Sequence, residues 1–272
     1  VRIFRCEENA LRMQSTANRV LMAPPPVELF REMVHTVVRL NSRFIPPYGY
    51  GATLYIRPLL IGTSPEVGVK PSDEYLLIMF VVPVGPYFKA GFKPVDMMIC
   101  RDFDRAAPQG TGTVKVGGNY AASLQSLAIA KKAGYSSTIY LDAKEKKYID
   151  ECGPANFFGI KNKTYITPQS ESILPSITNK SLQQLAEHLG YKVERRPVPF
   201  EELSEFEEVA ECGTAAVITP IRKIVDPIAN RTFTYGDAEV PGPVCTELYN
   251  VYTAIQFGET EDVFGWTEVV DV

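Results

Sequence analysis

The chain has 272 residues, 45% of them apolar, with 28 lysines and arginines against 32 acidic residues and a formal net charge of −4. That length accommodates about two domains with a sizeable core, and the absence of a basic run argues against a nucleic-acid partner. The longest apolar stretch, "YLLIMFVVPVG" (75–85), is about half the length a membrane helix needs and contains a proline, so no membrane partner is expected.

"VRIFR" at the start reads as the interior of a strand, which makes the N-terminus look incomplete. "PPPVELFREMVHTVVRLN" predicts a helix after a proline entry, with Phe30, Met33, Val34, Val37 and Val38 at helical spacing. "ATLYIRPLLIG" and "EYLLIMFVVPVG" predict strands bounded by turn residues, the second of them buried. "RDFDRAAPQGTGT" (101–113) is polar, glycine-rich and aperiodic. It reads as a linker between a small domain, 1–100, and a large one, 114–272.

"NYAASLQSLAIAKKAG" predicts a helix with Leu124, Leu127 and Ala128 on one face, closed by lysines and Gly134. "STIYLDA" is a strand, and "YIDECGPANFFGIKNKTYITP" is a set of short strands around turns. "SITNKSLQQLAEHLG" is a helix ending at Gly190, and "KVERRPVPFEEL" is a strand and turn. "EVAECGTAAVITPIRKI" is β-like around a corner of small residues. "PVCTELYNVYTAIQFG" predicts a last helix with Val244, Leu248, Val251, Tyr252 and Ile255 on one side. The order is mixed and lacks the regular strand–helix alternation of a doubly wound fold, so the class is α+β.

The five cysteines are scattered, without a C-x-x-C pair, and the two histidines, His35 and His188, fall in helical patterns as surface residues. Free thiols are therefore expected, with no disulfide frame and no metal site. The stretch "GTGTVKVGGNY" (110–120) sets Lys115 among glycines. It is not a P-loop, because Val114 precedes the lysine and Val116 follows it. It is not a dinucleotide fingerprint either, because Lys115 occupies the place of the third glycine. Two readings stay open on these residues: a surface lysine in a loop, or a buried, reactive amine able to condense with a carbonyl.

The stretches "LYIRP", "VKVGGNY", "YIDECGPANFF", "ESILPSIT", "ECGTAAVITP" and "GETEDVFGW" occur in this order along the chain. Together they resemble the branched-chain amino acid aminotransferases, pyridoxal 5'-phosphate enzymes of fold type IV. The resemblance implies a small α/β domain beside a larger, barrel-like mixed domain that holds the cofactor. It implies a cytoplasmic homodimer or larger assembly, acting on amino acids and 2-oxo acids in branched-chain amino acid biosynthesis.

By position, Lys115 matches the lysine that binds the cofactor as an imine and then acts as acid and base. Tyr120 matches the tyrosine that bonds the cofactor's phenolic oxygen, and Glu151 the glutamate that pairs with the ring nitrogen. Ile177 and Thr178, at a helix start, match phosphate donors, as do Thr214 and Arg12. Leu174 belongs to the same cofactor-binding set. Tyr55 and Arg57 alternate with Leu54 and Ile56, so both project from one face of a strand. With Tyr87, Ala215 and Ala216 they match the substrate pocket, which must take both an aliphatic side chain and the distal carboxylate of 2-oxoglutarate or glutamate.

The chain departs from the family in four places. Cys152 stands where a glycine is usual, Ser176 likewise (a tighter loop is expected there), and the redox C-x-x-C near Ala216 is absent, so no thiol switch is expected. The family's N-terminal stretch is also missing. Same-fold alternatives are D-amino acid aminotransferase, 4-amino-4-deoxychorismate lyase and ω-amine transaminase. The "LYIRP" motif and the "GETEDVFGW" tail argue against the first two. A binding protein that has lost catalysis is the alternative from another class, and the retained Lys115, Tyr120 and Glu151 argue against it.

Overall fold

The computed structural model describes residues 1–85, 92–237 and 239–272. The chain divides into two compact units, Val1–Lys89 with Ala254–Val272, and Ala90–Thr253.

In the first unit, β1 (Arg2–Phe4) pairs antiparallel with β14 (Thr267–Val269), so the two ends of the chain meet in one ribbon. Helices α1 (Cys6–Arg19) and α2 (Val27–Leu40) follow. Pro26 immediately precedes α2, where its fixed φ suits a helix entry. Phe30, Val34 and Val38 recur every fourth residue and bury one stripe of α2 against Ile3, Ala10 and Val270. Each large apolar side chain removed from water in this way contributes roughly 1.5–3 kcal/mol.

Strands β2 (Thr53–Gly62) and β3 (Tyr75–Val84) form an antiparallel hairpin with Tyr55 opposite Val82 and Arg57 opposite Phe80. Ile56 and Met79 face the core, whereas Leu59, Leu76, Phe80 and Val82 stay exposed. The apolar run 75–85 is therefore a strand covered on one face only, not the buried strand expected from its composition.

The second unit is built on a ten-stranded sheet. Its strands are β4 (Val95–Cys100), β5 (Ser137–Leu141), β6 (Tyr148–Cys152), β7 (Asn156–Lys161), β8 (Thr164–Pro168), β9 (Lys192–Arg196), β10 (Val198–Pro199), β11 (Glu208–Gly213), β12 (Val217–Asp226) and β13 (Arg231–Thr234). The path β6-β5-β4-β12-β11-β7 closes on itself, because β6 also pairs β7 at Glu151↔Asn156. That closure makes the barrel and leaves no free edge along the ring. Met97, Ile99, Ile139, Leu141, Ile149, Phe157, Val209 and Ile221 join one buried cluster.

Gly159 on β7 is required by packing, since a Cβ there would lie 2.5 Å from the Phe206 ring. Helices α3 (Gly117–Ala122), α4 (Leu124–Lys132) and α5 (Ile177–His188) belong to this unit. The division between units falls within α6 (Pro243–Phe257), which buries Cys245, Leu248, Tyr252 and Ile255.

Three expectations about this region change. Strand β4 lies between β5 and β12 in the large sheet, so the first unit does not extend to residue 100. Segment 101–113 also lies within the second unit and contains the buried Arg105 and Gly112, so it is not a linker. The helix expected from Asn119 onward starts at Gly117 and breaks at Ser123 into α3 and α4. The buried positions of α4 are Ser126 and Ala130, while Leu124 and Ala128 are exposed. Small residues sit on the buried side because α4 packs closely on the strands, and the Ser126 hydroxyl meets the Tyr140 hydroxyl. All five cysteines are buried and free. Among the described residues no helix is long and apolar enough to cross a membrane.

Candidate active site

Lys115 lies just before α3, on a loop pinned by Asn119. The buried Asn119 amide donates to the carbonyls of Thr111 at 2.7 Å and Val114 at 2.9 Å, and accepts from the Thr111 hydroxyl at 2.8 Å. An asparagine inside a helix that turns back onto the preceding loop fixes where the next side chain emerges. Lys115 emerges into solvent and is exposed. This answers the two open readings in part: the amine is not buried within this chain. Its Nζ donates to the Tyr120 hydroxyl at 2.9 Å.

The surrounding glycines do two different jobs. A Cβ on Gly112 would lie 2.1 Å from the Ser172 carbonyl oxygen, so this glycine permits backbone contact. A Cβ on Gly117 or Gly118 would meet nothing within 4 Å, so these two keep space open beside the lysine.

Asp150 and Glu151 are adjacent on β6, and both are buried rather than part of a solvated turn. Glu151 Oε1 accepts from the Leu174 N–H at 2.9 Å and the Asn156 amide at 2.8 Å. Its Oε2 lies 2.7 Å from Arg105 Nε, and both side chains are buried. Burial pushes the Glu151 carboxyl up to about 8, against the opposing pull of the Arg105 charge and the Leu174 N–H. Burial also raises Asp150, opposed by hydroxyls of Ser172 at 2.6 Å and Ser170 at 2.9 Å. The two carboxylates thus hold the loop 170–174 from both sides.

That loop leads into α5. The N-cap is Ser176, whose hydroxyl accepts from the Asn179 N–H at 3.2 Å. Thr178 is buried in the first turn beside Ile177. Ser176 in the usual glycine position caps the helix at an ordinary φ of −70°. The first N–H groups of a helix have no partner within it and favour an anion.

Thr214, Ala215 and Ala216 form the turn between β11 and β12, closed by the pair Gly213↔Val217. Val217 has φ +62°, a left-handed conformation that strains a β-branched residue. Thr214 and Ala215 are exposed, Ala216 half-buried.

The remaining expected residues lie in the first unit or outside the description. Arg12 sits on α1, half-buried, with Nη2 donating to Asn9 Oδ1 at 3.2 Å. Tyr55 and Arg57 share a face of β2, with the guanidinium 5.0 Å from the tyrosine ring centroid. Tyr87 lies outside the described residues. Sequence reasoning missed Arg105 and Asn119. Asn119 stands in the quoted "GGNY" and could have been found as a polar residue within a helix start; Arg105 left no local signal.

The family model described as "Amino-transferase class IV" matches residues 1–224. The chain belongs to the class IV aminotransferases. It is 48% identical over 267 residues to a branched-chain-amino-acid aminotransferase of Helicobacter pylori, covering 97% of this chain and 77% of that protein. It superposes with a TM-score of 0.85 on the branched-chain amino acid aminotransferase of Escherichia coli, at 31% identity, covering 99% of this chain and 85% of the other. A "T.th." branched-chain amino acid aminotransferase complexed with N-(5'-phosphopyridoxyl)-L-glutamate matches with a TM-score of 0.82 at 28% identity, over 99% of this chain and 84% of that one.

This aminotransferase chain carries a donor set that fits pyridoxal 5'-phosphate. An exposed amine beside a tyrosine hydroxyl suits an aldehyde carbon, and Gly117 and Gly118 leave the adjacent space clear. Glu151 is a buried acid suited to a ring nitrogen, and the α5 start and the 214–216 turn offer N–H and hydroxyl donors of the kind a phosphate needs.

Proposed function

We propose that this chain transfers the amino group of leucine, isoleucine or valine to 2-oxoglutarate, with pyridoxal 5'-phosphate held at Lys115. The supporting observation is the Lys115–Tyr120 hydrogen bond at 2.9 Å in a class IV aminotransferase chain. The substrate pair is supported by the activity named for the Helicobacter pylori relative and by the glutamate portion of the ligand in the phosphopyridoxyl-glutamate complex.

The cofactor, when bound, supplies an electron sink for the bonds to the substrate α-carbon. The chain's own residues supply the proton handling. With the cofactor bound, the Lys115 amine would take the proton from the α-carbon of the amino acid and return one to the carbon across the C–N bond. Tyr120 Oη, 2.9 Å from that amine, would also bond the cofactor's phenolic oxygen. Glu151 offers an anion to the ring nitrogen. Ile177, Thr178 and Thr214 hold the phosphate, and the N–H groups of Ala215 and Ala216 hold the substrate α-carboxylate.

The assignments of Arg12 and Leu174 to the cofactor, and of Tyr55, Arg57 and Tyr87 to the substrate, rest on the sequence motifs. A homodimer and a cytoplasmic location rest on the same resemblance.

The test is glutamate formation from 2-oxoglutarate with each branched L-amino acid, with D-alanine as contrast. Turnover of leucine, isoleucine or valine well above D-alanine supports the reading. Preference for D-alanine overturns it.

A further inference from the structure

A buried arginine within the second unit, already placed beside Glu151, joins more of the site than that one contact. Arg105 is 8% exposed and lies on the segment that reads as a linker in the sequence. Its Nε stands 2.7 Å from Glu151 Oε2. Its Nη2 donates to the Gly112 carbonyl at 3.2 Å and also to the Ser172 carbonyl. Gly112 is on the loop that carries Lys115, and Ser172 on the loop that enters α5. The same two loops touch where Gly112 lacks a Cβ.

We infer that Arg105 is a positioning residue: its one guanidinium fastens the lysine loop and the α5 loop to Glu151, and favours the anionic form of that carboxylate opposite the cofactor's ring nitrogen. The inference rests on the proposed cofactor reading.

The chemistry favours arginine here. A guanidinium is always charged and presents several donors in a rigid plane, so it can serve a carboxylate and two carbonyls at once. An ammonium keeps the charge but lacks that fork. A buried carboxylate without a counter-charge takes a proton instead. Burial favours the neutral acid at Glu151, and Arg105 is the largest opposing influence.

The other groups around Glu151 do not substitute for it. Asn156 and the Leu174 N–H are neutral donors, and Asp150 on the same strand repels the anion. Cys152 and Cys212, which Glu151 influences electrostatically, are buried thiols held high. Glu211, beyond them, is another acid. Arg105 is thus the cation that faces Glu151 among these groups. With cofactor bound, one proton is shared between Glu151 and the ring nitrogen, and Arg105 sets which of the two keeps it.

The test uses cofactor labelled with ¹⁵N at the ring nitrogen, read by NMR, together with direct cofactor affinity. The wild type shows a protonated ring nitrogen. Arg105→Gln moves the signal toward the unprotonated position and weakens cofactor binding about tenfold or more, the loss of one charge-assisted contact. Arg105→Lys keeps the protonated signal and weakens binding to a similar extent, because the carbonyl contacts are lost.

An unchanged ¹⁵N signal in Arg105→Gln overturns the inference, as does unchanged affinity in Arg105→Lys. If Arg105→Gln does not fold, Arg105→Lys decides alone. A wild type that binds no cofactor contradicts the functional reading instead, which separates the two failures.

Discussion

Lys115 Nζ donates to Tyr120 Oη at 2.9 Å, across the junction where a glycine-rich loop becomes α3. The contact joins an amine and a phenol, both of them exposed. Neither side chain contributes much to the core, so changing either separates chemistry from folding. Lys115→Ala is expected to abolish transamination while shifting stability by no more than about 0.5 kcal/mol, as at ordinary surface sites. Tyr120→Phe is expected to lower turnover about tenfold, the loss of one hydrogen bond within the site. Steady-state kinetics and thermal melts on both variants check this.

The glycines flanking that loop are expected to differ in kind. Gly112→Ala drives a Cβ to 2.1 Å from the Ser172 carbonyl, and backbone cannot yield as a flexible side chain does. A cost of about 3 kcal/mol is expected. Gly118→Ala meets open space within a helix and is expected to fold normally, with up to about 1 kcal/mol gained in helix propensity. Thermal melts of the two variants, side by side, distinguish the cases.

Much of this arrangement was legible in the sequence, for physical reasons that also mark its limits. The stripe Phe30–Val34–Val38 announced α2 because a core-facing helix must repeat its apolar positions. The motif order singles out Lys115, Tyr120 and Glu151 as candidates, since each sits in a distinctive local pattern. Segment 101–113 was misread because polarity and glycine content report local conformation, whereas its place is set by the long-range contacts of Arg105 and Gly112. The face of α4 was misread because Leu124 is more apolar than Ser126 and Ala130, yet only small residues fit where that helix meets the strands. The closure of the barrel at Glu151↔Asn156 is a pairing across a short turn that no periodicity encodes.

The cap on α5 offers a test of the departure from the family pattern at Ser176. Its hydroxyl accepts from Asn179 N–H at 3.2 Å. Ser176→Ala is expected to cost about 1 kcal/mol of stability, and Ser176→Gly only a few tenths. Denaturant titration of the two variants checks the order.

Glu211 provides a pH dependence. It lies on β11, 6% exposed, and its Oε2 has no hydrogen-bond partner among the described residues. Burial raises its carboxyl from 4.5 to about 7, with Thr219 opposing. The unfolded chain loses this proton first. The contribution to stability is therefore fully present below 4.5 and is lost as pH rises through about 7. Glu151, raised to about 8, acts in the same direction in cofactor-free protein. Melts of cofactor-free protein are expected to fall across that window. Glu211→Gln, which cannot titrate, is expected to flatten the slope, and an unchanged slope would refute the assignment.

The most direct test of the central claim is the visible spectrum of the purified protein loaded with pyridoxal 5'-phosphate. A visible band that disappears on adding leucine and returns on adding 2-oxoglutarate, and that Lys115→Ala fails to cycle, is the predicted result. A band that forms on the wild type but ignores leucine would contradict the assignment of substrate. Cycling that persists in Lys115→Ala would contradict the account of the site itself.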